Sequence, residues 1–289
     1  MDYMNKIKLQ TMLKHFFNED IGDGDLSSEL LFSPGDNGSF TFYAKDSGIF
    51  CGAAIIQTGF HILDPSLKIT LLKQDGDRIE IGDELALIEG ALQSLLSGER
   101  VVLNLVQRMS GIATNAYKAV GMTRGTNAKI CDTRKTMPGL RMLDKYAVRT
   151  GGAFNHRSGL YDCIMLKDNH IAFAGSISQA VQMAKSKIGH TVKVEVEIET
   201  KNQLREAINA GADMIMFDNR TPEEIRDWLP LVPSHIITEA SGGITFNNLR
   251  SYAESGVDYI SLGALTHSVK ALDISALVEL KGVTAYELH

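Results

Sequence analysis

Long apolar runs are missing from this sequence of 289 residues, and none approaches the roughly 20 residues that a membrane-spanning helix needs. The N-terminal segment MDYMNKIKLQTMLKHFFNED has an amphipathic helical pattern with charges throughout, so we expect neither a signal peptide nor a transmembrane helix. Cysteine is also scarce. Cys51, Cys131 and Cys163 form no C-x-x-C pair, which argues against a disulfide framework and a thiolate zinc site. These absences predict a cytoplasmic protein in a reducing compartment.

An excess of positive charge is absent as well. The formal net charge is −6, so the chain has no overall electrostatic attraction to nucleic acid or to an anionic membrane, and we expect neither as a partner. Any site for an anion must therefore be built locally. With 44% hydrophobic and 22% charged residues, the chain can bury the core of one large domain or of two smaller ones.

Up to about Ser97 the sequence alternates short strand patterns with turns rich in glycine and aspartate, which predicts a small α+β domain. The strand patterns are SFTFYAKDSGIFCG and LKITLLKQDGDRIEIGDELALIEG. Within the second pattern, QDGDRIEIGDELALIEG is also similar to half of a lipoyl or biotinyl carrier module. No lysine stands at its turn to carry a cofactor, so we interpret it as a structural hairpin. A long helix is predicted to begin near Leu92.

The second half repeats a strand followed by a helix, which predicts a parallel sheet. The candidate strands are AKICDT, CIMLK, VKVEVEIE, MIMFDN, HIITEAS and YISLG. The predicted helices begin at the capping residues Ser176, Thr200 and Thr221, the last with Pro222 and Glu224 in its first turn. Such units either close into a barrel or form an open doubly wound sheet. Polar residues cluster where each strand ends, at the rim on which β/α barrels build active sites, so we predict a barrel.

Two turns that contain glycine follow the last two strands and are candidate phosphate sites. EASGGIT places Ser241, Gly242 and Gly243 directly before a predicted helix, where backbone N–H groups and the helix dipole favour an anion. SLGALTHS repeats the arrangement one strand later, with Gly263 before a short helical turn. Glycine pairs are also ordinary turn residues, but their recurrence on two consecutive strands favours phosphate binding.

Cationic residues follow the first two barrel strands: Arg134, Lys135, Arg141, His156, Arg157 and Lys167. A solvated surface would mix both signs of charge, so this set predicts a highly charged anion as the ligand. Arginine binds carboxylate and phosphate groups through two parallel hydrogen bonds, and a ligand that carries both groups therefore fits. The alternative, that a cation simply pairs with a neighbouring Asp or Glu, stays open for any single residue.

Acidic residues form a third group. The alternation in VEVEIE puts Glu195, Glu197 and Glu199 on one face of the strand, and Asp218 follows the next strand. Glu197 and Asp218 are candidates to hold a magnesium ion, ribose hydroxyls or the lysines opposite, and the pattern does not separate these roles. We expect Glu195 and Glu199 to form structural pairs near the other end of the strand or in its flank. The histidines lack the close spacing of a zinc site.

Several characteristic runs extend over essentially the whole chain: EDIGDGDLSS, SGERVVLNLVQRMSGIAT, KICDTRKTMPGLRMLDKYAVRTGGAFNHRSGLYDCIMLKDNH, VEVEIET, IMFDN, EASGGIT and YISLGALTHS. Together they resemble the quinolinate phosphoribosyltransferase family of type II phosphoribosyltransferases. The resemblance implies an α/β protein with an N-terminal open sandwich, at 1–112 and completed by 270–289, and a C-terminal incomplete β/α barrel of six or seven parallel strands, at 113–269. It also implies a homodimer with shared active sites, alone or within a larger assembly.

The implied activity joins quinolinate to 5-phosphoribosyl 1-pyrophosphate (PRPP) and yields nicotinate mononucleotide, pyrophosphate and CO2 in de novo NAD biosynthesis. The implied quinolinate contacts are Thr133, Arg134, His156, Arg157 and Lys167, with Arg100 from the neighbouring subunit. The implied PRPP contacts are Lys135, Glu197, Asp218, Ser241, Gly242, Gly243, Gly263 and His267. The implied catalytic residues are Lys135, Glu197 and Asp218. The implied cofactor is Mg2+, held by Glu197 and Asp218 directly or through PRPP and water.

Two positions depart from the family pattern: Met137 stands where a second threonine is common, and Ala153 where a third glycine is frequent. Neither position carries charge. The rival interpretations are a nicotinate phosphoribosyltransferase, the molybdenum-associated homologue, a non-catalytic sensor, and a phosphosugar isomerase or aldolase with Lys167 as its Schiff-base lysine. The complete cation set favours the dicarboxylate. The presence of Lys135 with both acids favours an enzyme over a sensor, and the family resemblance disfavours the isomerase.

Overall fold

The computed structural model describes residues 4–278, which form two compact units. The first contains 4–115, Met142–Gly151 and 269–278, and the second contains Ala116–Arg141 and Gly152–Ser268. The domain division made from the sequence stays a prediction, and these units differ from it in placing Met142–Gly151 with the first unit. Residues 279–289, which belong to the predicted completion of the N-terminal domain, lie outside the described residues.

The helices and strands follow one another as the sequence patterns indicate. Up to Met122 they are α1 (Lys6–Ile21), α2 (Leu26–Leu31), β1 (Asn37–Ala44), β2 (Gly48–Ile49), α3 (Ala53–Leu63), β3 (Lys68–Leu71), β4 (Arg78–Ile79), β5 (Glu84–Ala91) and α4 (Leu92–Met122). The remainder are β6 (Lys129–Cys131), α5 (Arg141–Thr150), β7 (Ile164–Leu166), α6 (Asp168–Ala174), α7 (Ile177–Lys185), β8 (Val194–Ile198), α8 (Lys201–Ala210), β9 (Met214–Asp218), α9 (Pro222–Trp228), a 3-10 turn (Leu229–Leu231), β10 (Ile237–Ser241), α10 (Leu249–Ala253), β11 (Tyr259–Ser261), α11 (Ala264–His267) and β12 (Ile274–Val278). No helix within 4–278 is both long and apolar enough to cross a membrane.

The first unit is built on an antiparallel sheet with the strand order β12-β1-β5-β3, beside a two-stranded ribbon of β2 and β4. Alternation along β1 turns Phe40 and Phe42 to the same side, where they pack on Phe60 of α3 with ring centroids 5.7 and 6.3 Å away. All three rings are fully buried or nearly so. Burial of three aromatic side chains gives this sheet and helix a common core.

Helix α5 belongs to the first unit because polar contacts tie it there. Asp144, which has no exposed surface, accepts two hydrogen bonds from the Arg108 guanidinium of α4, at 2.9 and 2.8 Å. Tyr146 donates a hydrogen bond of 2.7 Å to Asp75, whose other carboxylate oxygen accepts the backbone N–H groups at the start of α3. A buried carboxylate is stable only with such partners, so these contacts fix α5 against α3 and α4.

The second unit is a parallel sheet of six strands in the order β6-β11-β10-β9-β8-β7. This order brings the first strand next to the last, as in a barrel, and Phe154 extends the ring through a parallel bridge to Cys131. Between Phe154 and β7 the ring stays open within the described residues. The predicted fold class, with an incomplete β/α barrel after an α/β sandwich, is confirmed.

The predicted helix starts in this unit are confirmed. Ser176 accepts the backbone N–H of Gln179 at the start of α7, and Thr200 and Thr221 each begin a helix with a reciprocal capping box. These caps satisfy backbone donors that would otherwise have no partner in the first helical turn. They set where each strand-to-helix loop ends, and hence which residues face the rim of the barrel.

Candidate active site

A cavity of about 420 Å3 opens in the second unit where the parallel strands end. Its walls are formed by Thr133, Arg134, Lys135, His156, Arg157, Met165, Lys167, Glu197, Met216, Asp218, Asn219, Ser241, Gly242, Gly243 and Ser261. The implied quinolinate and PRPP contacts between Thr133 and Gly243 therefore all line one cavity. The carboxyl ends of the strands form the rim on which barrel enzymes place their catalytic groups.

One wall of the cavity is strongly cationic. For Arg134, Lys135 and Arg157 the structure shows no ion pair with any residue within 4–278. The Arg157 guanidinium instead donates to the Cys163 carbonyl oxygen at 3.4 Å and to the Met165 sulfur at 3.5 Å. The alternative of simple pairing with a neighbouring acid therefore does not apply to these three cations. Their charge is available to an anion that enters the cavity.

Arg141, which the sequence grouped with these cations, does not line the cavity. Its guanidinium donates to the Thr136 hydroxyl at 3.0 Å and to the Ser158 carbonyl oxygen at 3.2 Å. It therefore braces the loop after β6 against the loop before β7, and it shapes the cationic wall without contributing its own charge to the surface of the cavity.

The opposite wall carries two carboxylates, Glu197 and Asp218. Lys167 forms an ion pair with Glu197. Burial raises the pKa of Glu197, the hydrogen bond and charge of Lys167 oppose that rise, and the charge of Asp218 adds to it. The two carboxylates thus repel each other within one cavity. Oxygen donors in mutual repulsion are a set that fits Mg2+, because a divalent cation relieves the repulsion.

Asn219 has the single positive φ among the non-glycine residues described, at 53°. Its side-chain amide donates to the Asp218 carboxylate at 2.9 Å, and its backbone N–H donates to the Ser241 carbonyl oxygen at 2.9 Å. Asparagine tolerates this left-handed conformation better than most residues, and non-glycine residues in this conformation are concentrated at functional sites. Asn219 therefore orients Asp218 and joins it to the neighbouring turn, a role that the sequence pattern did not single out.

The turn Ser241–Gly243 has backbone angles that only glycine adopts easily, with φ of 87° at Gly242 and 65° at Gly243. The prediction that a helix follows directly is wrong. Helix α10 begins at Leu249 and has five residues, because the Asn248 side chain first caps a turn by accepting the Thr245 N–H at 2.7 Å. Any anion here is thus bound by the backbone of the turn and not by a helix dipole.

The second predicted phosphate turn lies behind Lys135. A Cβ on Gly263 would lie 3.2 Å from the Lys135 Cδ and 3.0 Å from the His267 Cδ2. The Thr266 hydroxyl donates to the Lys135 carbonyl oxygen at 2.8 Å. Gly263 and His267 are therefore adjacent to the cavity rather than in its lining, and the short helix α11 supports the backbone of Lys135.

The floor of the barrel below the cavity contains a buried polar cluster. His156 Nε2 lies 3.3 Å from Glu195 Oε2 and 3.5 Å from Glu239 Oε2, and Ser261 donates to the other oxygen of Glu239. Glu195 is the second residue of β8 and contacts His156, as expected for a structural pair near the other end of the strand, and His156 in turn lines the cavity. Burial and the charge of Glu195 raise the pKa of Glu239 to about 7. Glu239 was not identified from the sequence, although alternation along HIITEAS places it on the inner face.

Arg100 is a third predicted site residue that is not in the lining of this cavity. It is on α4 in the first unit, with 64% of its side chain exposed. It lines a different cavity of about 390 Å3, whose other walls include Lys45, Glu99 and Gln107.

Comparisons with known proteins show the family of this chain. Residues 25–110 match the family model "Quinolinate phosphoribosyl transferase, N-terminal domain", and residues 112–277 match "Quinolinate phosphoribosyl transferase, C-terminal domain". A "Probable nicotinate-nucleotide pyrophosphorylase [carboxylating]" of Bacillus subtilis is 55% identical over 284 residues, which cover 98% of each chain.

Solved structures are similar over the same span. The nicotinate-nucleotide pyrophosphorylase from Francisella tularensis has a TM-score of 0.91 and 35% identity, with 96% of this chain and 98% of that chain covered. NadC from Streptococcus pyogenes has a TM-score of 0.91 and 37% identity, with 99% of each chain covered. By sequence and by structure, this chain belongs to the quinolinate phosphoribosyl transferase family.

Proposed function

We propose that this protein is a quinolinate phosphoribosyltransferase, which converts quinolinate and PRPP to nicotinate mononucleotide, pyrophosphate and CO2 in NAD biosynthesis. The observation that carries the proposal is a single cavity with two carboxylates, a glycine turn and three cations that pair with no acid among residues 4–278. A ligand pair with two carboxylates, a sugar and three phosphate groups matches this combination of charges. The carboxylating relatives described above support the same assignment.

Quinolinate is assigned to the cationic wall. Arg134, Arg157 and Lys167 carry the charges that its two carboxylates need, and Thr133 lies at the same wall. His156 belongs to this wall too, but both of its ring nitrogens face protein groups: Nδ1 accepts the Arg157 N–H at 2.7 Å and Nε2 faces the buried acids. Its contribution to quinolinate binding is therefore mainly the placement of Arg157.

PRPP is assigned to the remaining walls. Glu197 and Asp218 face a position where ribose hydroxyls can donate to them, and the Ser241–Gly243 turn offers backbone N–H groups to the 5′-phosphate. Lys135, with Gly263 and His267 behind it, is placed between the two ligands. This division lets each substrate meet the charge that complements it.

The reaction follows from these positions. The quinolinate ring nitrogen attacks the anomeric carbon of PRPP as the bond to pyrophosphate breaks, and Glu197 and Asp218 offset the positive charge that develops on the sugar. Lys135 stabilises negative charge on the departing pyrophosphate. The ring nitrogen then carries positive charge, so the adjacent carboxylate can leave as CO2, and the carbanion left on the ring takes up a proton. No nucleophilic side chain is needed.

Mg2+ is the proposed cofactor. Glu197 and Asp218 are the oxygen donors that would hold it, directly or through PRPP and water, and their mutual repulsion supports this assignment. When bound, the ion would neutralise charge on the pyrophosphate group.

A homodimer, alone or within a larger assembly, is also part of the proposal, with Arg100 of each subunit completing the quinolinate site of the other. The Arg100 guanidinium is exposed, and its one ion pair in the described chain is with the neighbouring Glu99, at 3.7 Å. A cation that is exposed in this way supports a role at the interface between subunits. We further propose that the protein acts in the cytoplasm.

The test is an assay of the purified protein with PRPP, Mg2+ and either quinolinate or nicotinate, in which nicotinate mononucleotide and CO2 are both quantified. We expect equimolar products from quinolinate and none from nicotinate. Arg157→Ala should abolish turnover, whereas Arg226→Ala, which removes an exposed arginine paired with Glu223, should not. Turnover of nicotinate alone would replace the proposal with a phosphoribosyltransferase that does not decarboxylate. No turnover with retained phosphate binding would indicate a sensor.

A further inference from the structure

The buried cluster below the cavity is the strongest feature that the proposed reaction does not use. Glu195 has no exposed surface and Glu239 has 1%, yet the two carboxylates come from different strands to the same imidazole nitrogen. Neither oxygen of Glu195 makes a hydrogen bond within the described chain. Burying two carboxylates lowers the stability of the fold, and apolar residues of similar volume usually give equal or greater stability. We therefore expect the two acids to have a role other than stability.

A metal site is one explanation. His156, Glu195 and Glu239 each offer one possible ligand atom, and these three atoms lie within 4.8 Å of one another. The tautomer of His156 argues against it. Its Nδ1 accepts the Arg157 N–H at 2.7 Å, so the proton of the neutral ring is on Nε2, the atom that faces the carboxylates. A metal would need the lone pair of Nε2, and a metal-binding histidine ordinarily donates from its other nitrogen, whereas this one accepts.

The Nε2 proton explains the carboxylates instead. The carboxylate oxygens lie 3.3 and 3.5 Å from Nε2, and their negative charge attracts the Nε2 proton, so they favour the tautomer that leaves a lone pair on Nδ1. That bond holds the backbone of Arg157, and among the described residues the guanidinium beyond it bonds only to a carbonyl oxygen and a thioether sulfur. The His156 backbone is fixed as well, because its N–H donates to buried Asp132 at 2.8 Å. The placement of Arg157 thus depends on the imidazole.

We propose that Glu195 and Glu239 are positioning residues for dicarboxylate binding, which hold His156 in the Nε2–H tautomer and through its Nδ1 fix Arg157 at the cationic wall. This inference rests on the proposed function for the identity of the ligand, but the tautomer can be measured without it. Ser261 donates a hydrogen bond to Glu239 and so helps to hold that carboxylate in place.

Quinolinate binding measured by calorimetry separates this role from two simpler ones. Binding is measured at pH 8, above the pKa of Glu239 of about 7, where Glu239→Gln and Glu195→Gln each keep the side-chain shape and remove a negative charge. If the acids acted only through space, their loss would tighten the binding of a dianion. If they were only structural, the melting temperature would change and the binding of both substrates would change alike. Positioning predicts that quinolinate binds about tenfold more weakly or worse, with PRPP binding unchanged.

The controls use the chain itself. Glu199→Gln, at an exposed position just beyond the same strand, should leave quinolinate binding unchanged. In an Arg157→Ala background, Glu239→Gln should have no further effect on quinolinate binding, because the group that it positions is gone. Tighter quinolinate binding in either glutamine variant, or an undiminished effect without Arg157, would overturn the proposal.

Side-chain 15N–1H correlation spectra of the unmodified protein, compared with those of two variants, give a readout that needs no turnover. With the His156 signals assigned through His156→Gln, we expect a proton on Nε2 and none on Nδ1, and a mixture of tautomers in Glu239→Gln. A proton on Nδ1 in the unmodified protein would refute the proposal whatever the substrate. Failure to bind quinolinate with the expected tautomer present would instead count against the proposed function.

Discussion

Lys167 and Glu197 form an ion pair between the ends of adjacent strands β7 and β8, and so join the wall assigned to quinolinate to the wall assigned to PRPP. Each side chain is the nearest counter-charge of the other until a substrate arrives. A dicarboxylate that takes Lys167 leaves Glu197 free to accept from ribose hydroxyls. The ion pair therefore opposes the rise in the pKa of Glu197 that burial causes.

Replacing Lys167 with methionine should affect both substrates. Quinolinate binding should weaken by roughly 10-fold to 100-fold, the effect of losing a charged hydrogen bond worth about 1.5–3 kcal/mol. The pKa of Glu197 should rise further, because the group that lowers it is gone, so the acidic limb of kcat/KM for PRPP should move to higher pH. Lys185→Met, which removes an exposed pair with Asp213, is the matched control. An acidic limb that stays in place would show that the ion pair does not tune Glu197.

Gly242→Ala should disable the phosphate turn. A Cβ at this position would lie 2.9 Å from the Asn219 backbone nitrogen, and φ is 87°. Both the contact and the backbone angle are unfavourable, by on the order of 1–3 kcal/mol for the angle alone. We expect PRPP binding to fall by more than tenfold while quinolinate binding changes little. Gly189→Ala, where the new methyl group meets nothing within 4 Å, should bind both substrates normally.

Glu239→Gln should change how stability depends on pH. The pKa of Glu239 is raised from 4.5 to about 7 by folding, so between these values the folded protein holds a proton that the unfolded chain has lost. Stability falls as pH rises through this window, by on the order of 3 kcal/mol once pH exceeds 7. Glutamine does not titrate, so the variant does not lose this stability. The melting temperature of the variant minus that of the unmodified protein should therefore be several degrees larger at pH 8 than at pH 5. A difference independent of pH would show that the carboxyl is not protonated near neutrality.

Arg100→Ala and Glu197→Gln should complement each other when mixed under conditions that exchange subunits. Each variant alone should be nearly inactive. In a dimer of one of each, one active site contains both substitutions and the other contains neither, so activity should recover to roughly a quarter of the unmodified level at equal mixing. Mixed dimers that form without recovered activity would place Arg100 outside the shared site.

The sequence predicted the barrel strands and the lining of the cavity because alternation and strand ends are local properties. It did not predict how deep each side chain lies. Glu195 is on the same face of the strand as Glu197, two residues earlier. At roughly 3.3 Å per residue it lies about 7 Å deeper in the barrel, so it is at the floor of the cavity and not at the rim. Glu239 was missed because its importance depends on His156 from a distant segment. The late start of α10 was missed because the Asn248 cap competes with a helix.

The opening in the strand ring between Phe154 and β7 has a consequence for sequence variation. Residues 155–163 lie in no helix or strand, yet they include His156 and Arg157 and connect a single bridged residue to the next strand. Because these residues take part in no strand pairing of the described chain, we expect the barrel to accept insertions or replacements in this segment. Such changes would alter the cationic wall and leave in place Glu197, Asp218 and the Ser241–Gly243 turn, which lie at the ends of strands β8 to β10.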